Sequence, residues 1–164
     1  MESNKTAIIV VDPIKSFDDD ARDKKSIQEL KEINSFSYFI KYAIDLEAIK
    51  ENVDVHILKY NGGQIMKKFE SKKYHQLSDI AKIDENYYKY LFCGFHLNDC
   101  IKGAIKELTD KRSIDFKKIG IILNLMMITP EINLNRASKN FFHPYGIDLY
   151  YWTRLGHKKI TIIN

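Results

Sequence analysis

Apolar residues in this chain fall into short β-branched runs, separated by stretches in which they recur every third or fourth position. The first run, Ala7-Ile8-Ile9-Val10-Val11, has no polar break and ends on Asp12. An unbroken run of this length reads as a strand covered on both faces, as in parallel sheets. From Ser26 the period changes. Ile27, Leu30, Ile33, Phe36, Phe39, Ile40, Ala43, Ile44 and Leu46 follow helical spacing, as one long helix or two in succession, with Asn52 as a stop. Residues 53–59 return to strand character and close on the turn signal Asn61-Gly62-Gly63. Between positions 64 and 86 the chain is basic, with weak helical spacing at Ile65, Met66 and Phe69. No element is predicted there beyond a short strand that Asp79-Ile80-Ala81-Lys82 could form. Residues 87–95 form the next strand, and a helix begins near Asn98 with Cys100, Ile101, Ala104, Ile105 and Leu108 on one face. A further strand lies within 116–128, a short helix in 130–140, and two late strands in 146–152 and 157–163. This alternation predicts a three-layer α/β/α fold around a mainly parallel sheet. No repeat, low-complexity tract or composition shift divides the chain, so residues 1–164 are expected to form a single domain.

Bulk properties narrow the function classes. A domain of 164 residues can bury roughly 70% of its unfolded surface. The net charge of +4 comes from lysines scattered among acidic residues, as at Lys67-Lys68, Lys72-Lys73 and Lys117-Lys118. That distribution is a solvated surface, and no nucleic-acid partner is expected. No run reaches membrane-spanning length, and the opening residues lack the layout of a secretory signal, so no membrane partner and a cytoplasmic location are expected. Two cysteines give no disulfide framework. The acidic stretch Asp18-Asp19-Asp20 lacks the spacing of a calcium loop.

Candidate chemistry sits at two strand ends. Gly94-Phe95-His96-Leu97-Asn98-Asp99-Cys100 joins an apolar strand to a helix and sets a thiol in the first helical turn. Free N–H groups and the positive dipole end favour a thiolate there, and the same N–H groups suit a developing oxyanion. Asp12 ends the first strand, where open α/β sheets place their ligands. Asp12 with Phe17 five places later resembles the opening strand of the isochorismatase-like cysteine hydrolases. Gly94 followed by Asn98 and Cys100 resembles that family's nucleophile turn, and the helix Ile101-Lys102-Gly103-Ala104-Ile105 continues the pattern.

The resemblance implies an isochorismatase-like, Rossmann-like fold and a cysteine hydrolase acting on a small amide or related C–N bond through an Asp–Lys–Cys triad. Asp12 and Cys100 take two of the three places. Lys59 ends a strand forty-one residues before Cys100, as the family's lysine does, with Lys82 as second candidate. The oxyanion hole would use the backbone N–H groups of His96 and Cys100, and the substrate pocket Phe17, Phe95, His96 and Leu97. His96 and Leu97 depart from the small and polar residues usual there, which bears on the substrate. The aspartate and paired histidines of metal-binding nicotinamidases are missing, so no metal or other cofactor is assigned and nicotinamide is disfavoured. The family resemblance and the aromatic-rich C-terminal third also imply a homo-oligomer; the other expected partner is a small-molecule substrate. Two other readings compete: a catalytically inactive binding or assembly module on the same fold, and a redox sensor in which Cys93 resolves an oxidised Cys100.

Overall fold

The computed structural model describes residues 4–13, 27–60, 63–83, 86–95, 100–127 and 141–160. Among these residues seven strands form one sheet: β1 (Thr6–Val11), β2 (Val53–Leu58), β3 (His75–Leu77), β4 (Lys89–Gly94), β5 (Ile119–Met126), β6 (Asp148–Thr153) and β7 (Gly156–Ile160). Their order is β3-β2-β1-β4-β5-β6-β7, with every neighbouring pair parallel except the final β6–β7 hairpin. Helix α1 (Ile27–Ala48) links β1 to β2 on one face, and α2 (Lys102–Arg112) lies between β4 and β5 on the other. The fold is therefore three-layer α/β/α.

Strand alternation assigns each apolar side chain to one of two cores. On β1, Ile8 and Val10 face α1, while Ala7, Ile9 and Val11 face α2; all five are fully buried. On β2, Val53, Val55 and Ile57 join the α1 core, and Leu58 the α2 core. The helical period holds as one long helix in α1, whose buried stripe runs through Ile33, Ser37, Ile40, Ile44 and Glu47. In α2 the buried residues are Ala104, Ile105, Leu108 and Thr109.

Several boundaries differ from the sequence reading. Residues 80–82 form a 3₁₀ turn, not a strand, because Asp79 caps them by accepting the Ala81 N–H at 2.9 Å. The neighbouring strand is instead β3, three largely exposed residues with no apolar alternation to betray them. In β5 the register against β4 shifts between Phe92 and Gly94. Within that irregular stretch Asn124 lends its amide to the sheet: Nδ2 donates to the Trp152 carbonyl at 2.7 Å, and Oδ1 accepts the Trp152 N–H at 2.8 Å. The helix expected in 130–140, the acidic stretch 18–20 and the end of the last strand lie outside the described residues.

Candidate functional site

The chain leaves β1 for β2 and β3 on one side, then returns to place β4 on the other side of β1. The order of strands thus reverses between β1 and β4, and the carboxyl ends of such a pair open a crevice. Val11 is the last paired residue of β1, beside Leu58 on β2 and Gly94 on β4. Asp12 follows it with φ at 50°, fully buried, its N–H donating to the Leu58 carbonyl at 2.8 Å. A non-glycine residue rarely takes this left-handed backbone, which Asp and Asn tolerate best. Its carboxylate Oδ1 accepts the backbone N–H of Tyr60 at 2.6 Å, a short charge-assisted bond that fixes the side chain.

On β4, paired with Val11, Gly94 has φ at 107°. The Phe95 N–H donates to the Val11 carbonyl at 2.9 Å, so the chain stays against β1 as far as Phe95. Cys100 lies in a wide helical turn just before α2, 6% exposed, within the α2-side core. Cys93 belongs to the α1-side core, and burial pushes its thiol well above the ordinary range. Among the described residues, neither cysteine is in a disulfide. The sheet stands between them, which removes the basis for Cys93 as a resolving partner.

Tyr60, which the sequence reading did not single out, links the two candidate catalytic elements. Its backbone holds Asp12, and its ring lies against Gly103, three residues after Cys100: a β-carbon on Gly103 would be 2.6 Å from the Tyr60 hydroxyl and 2.9 Å from Cζ. A glycine in the first turn of an otherwise regular helix was the available signal, since it often marks a close neighbour. Lys59 follows β2 directly, its N–H bonded to the Leu77 carbonyl at 3.0 Å. Leu58 and Tyr60 both pack on the α2-side core, and Lys59 between them is exposed. Lys82 is also exposed, at the end of the 3₁₀ turn. Phe95 is fully buried in the α1-side core, edge-on to Phe36 at 5.8 Å. Phe17, His96 and Leu97, and hence the His96 half of the oxyanion hole, lie outside the described residues.

His56 reads in the sequence as a lone, structural or solvated histidine. In the structure it is buried, and its Nε2 lies 2.9 Å from the Tyr87 hydroxyl. Tyr87 donates its one proton to Asp54 Oδ2 at 2.9 Å, so it accepts from His56 Nε2–H. The His75 ring on β3 lies 5.0 Å from the His56 ring, tilted by 32°, and these groups border a cleft of about 260 Å³ near the β3 edge. Among the described residues, no three His, Cys, Asp or Glu side chains are placed to hold a metal ion. Among them too, no helix is long and apolar enough to cross a membrane.

No family model and no curated protein matches the sequence at a significant level. Solved structures do match the fold. A candidate Mar1 ribonuclease from Leishmania major superposes with a TM-score of 0.60 at 15% identity, covering 91% of this chain and 81% of that one. Its counterpart from Leishmania donovani gives the same TM-score and identity, covering 91% and 80%. An isochorismatase-like hydrolase from Alkaliphilus metalliredigens matches with a TM-score of 0.57 at 10% identity, over 86% of this chain and 91% of the other. Identities this low speak for architecture alone. With its strand order, its buried aspartate at the end of β1 and its thiol beyond β4, the chain has the isochorismatase-like fold.

Proposed function

We propose that this chain is a metal-independent cysteine hydrolase acting on a small amide or related C–N bond. The observation that carries the reading is Asp12: a buried carboxylate on a left-handed backbone, oriented by the Tyr60 N–H, at the strand-order reversal beyond which the chain delivers Cys100. Asp12 would take the proton of the Cys100 thiol. The thiolate would attack the substrate carbon, and the N–H groups of Cys100 and His96 would hold the oxyanion. Collapse of that intermediate would break the C–N bond, Asp12 returning its proton to the leaving nitrogen. Water, deprotonated by Asp12, would then cleave the thioester and free the thiol. Lys59 supplies the cation of the triad in this reading, and Phe17, His96 and Leu97 the substrate pocket, with Phe95, fully buried in the α1-side core, only backing it. A second copy of the chain is the proposed protein partner. The exposed position of Lys59, out of phase with the α2-side core, favours one alternative: an inactive binding or assembly module.

The test is the alkylation rate of each cysteine against pH, followed by mass spectrometry, in the wild type and in Asp12→Asn, Lys59→Ala and Lys82→Ala. The hydrolase reading expects fast labelling of Cys100 at neutral pH, slowed about tenfold or more in Asp12→Asn and in one of the two lysine variants. Cys93, buried and with its thiol pushed up, should stay unlabelled until the protein unfolds. Slow labelling of Cys100, unchanged by any substitution, would leave the binding module.

A further inference from the structure

We infer that Tyr60 is the residue that positions Asp12 against the thiol-bearing helix, an inference that rests on the hydrolase reading above. Asp12 follows β1 and Cys100 lies in the turn before α2, and proton transfer between them tolerates little error in separation. The residue that touches both elements is therefore the one that sets the gap. Tyr60 does so through two separate groups. Its backbone N–H fixes the Asp12 carboxylate at 2.6 Å from the β2 side. Its ring fills the space over Gly103, where a β-carbon would come within 2.6 Å of the hydroxyl oxygen and 3.2 Å of a ring carbon.

The contact is specific in position. Gly103 is three residues beyond Cys100, so the ring rests on the first turn of α2, directly after the turn that carries the thiol. Just before Tyr60, the Lys59 N–H bonds to the Leu77 carbonyl of β3. The ring against Gly103 adds an anchor on the α2 side to the segment whose N–H is aimed at Asp12. Tyr60 also borders a cleft of about 370 Å³ with Leu58, Ser78, Asp79, Ile80 and Glu107 of α2.

The experiment measures iodoacetamide labelling of Cys100 against pH in Tyr60→Ala, Tyr60→Phe, Gly103→Ala, Asp12→Asn and the double variant Tyr60→Ala/Asp12→Asn, with thermal midpoints alongside. Tyr60→Ala and Gly103→Ala should each slow labelling at neutral pH about tenfold, one by removing the ring and the other by displacing it. Tyr60→Phe, which keeps the ring, should restore most of the rate. The double variant should label within about twofold of Asp12→Asn alone, because the tyrosine acts through the aspartate. Gly103→Ala keeps the test decisive if Tyr60→Ala does not fold. Unchanged labelling in the folded alanine variants, or a loss that adds to that of Asp12→Asn, would overturn the inference while leaving the hydrolase reading intact. If Asp12→Asn itself labels like the wild type, both fail together.

Discussion

A β-carbon on Gly94 would lie 2.6 Å from the Val11 carbonyl oxygen and 2.8 Å from the Val11 nitrogen, and the φ of 107° already excludes most side chains. Both contacts are with backbone that is itself bonded into the sheet, so nothing can yield cheaply. Gly94→Ala should therefore destabilise the protein by about 2 kcal/mol or more, read as a lower denaturation midpoint at unchanged slope. Asp12 sits one residue beyond the same contact with its own left-handed backbone. Asn tolerates that conformation and keeps an oxygen for the Tyr60 N–H, which makes Asp12→Asn a chemical probe with little structural penalty. Alanine there would add backbone strain and strand a buried donor. At this scale the sequence was informative where chemistry left a residue type: an acid ending a strand, a thiol after a glycine turn. It was silent on Tyr60, whose role comes from a backbone N–H that every non-proline residue carries, and from a neighbour that only folding brings near.

Helix α1 is tied to the far end of the sheet by its last turn. Glu47 is 1% exposed, accepts Lys50 Nζ at 2.9 Å on both oxygens, and takes the Trp152 indole N–H at 3.1 Å. Phe39 and Tyr42 meet the Trp152 ring edge-on at 5.8 and 6.0 Å, so the same residue provides apolar packing and a hydrogen bond between α1 and β6. Trp152→Phe keeps most of the packing and removes the donor. The expected loss is about 1–2 kcal/mol in chemical denaturation, and Glu47→Gln should narrow the difference between the two indole states in a double-mutant cycle. Elements with strong periodicity, β1, α1 and β4, were legible because burial on a strand or helix leaves a regular trace in the sequence. The trace fails for β3, which is short and exposed. It also fails for Asp79-Ile80-Ala81-Lys82, where a capping carboxylate decides for a 3₁₀ turn over a strand. Lys59 shows the same limit within the candidate site. Its place at the end of a strand could be read from the sequence, but its exposure depends on the phase of β2 against α2.

For the molecule as a whole, acid sensitivity follows from groups that lose proton affinity on folding. Burial alone would raise Asp148, but hydrogen bonds and attraction from Lys89 and Lys159 outweigh it and hold the carboxyl below its ordinary value. Asp45 behaves likewise: Lys41 and Tyr74 overcome the effect of burial. His157 is lowered by burial first, and Lys50 adds to this against the attraction of Glu47. In each case the folded pKa lies below the unfolded one, so the stabilisation is complete above the unfolded value and is lost as pH falls through the folded one. Thermal midpoints should start to fall below about pH 6.5 as the unfolded histidine takes up protons, and fall again below about pH 4 as the carboxylates do. His157→Phe should flatten the first segment and leave the second. The two cysteines then acquire a use beyond chemistry. One strand places Cys93 in the core beneath α1 and leads to Cys100 in the core beneath α2. The protein thus carries a thiol in each half of its interior, and Cys93, closed to reagents in the folded state, would time the lifting of α1 from the sheet as denaturant rises at neutral pH.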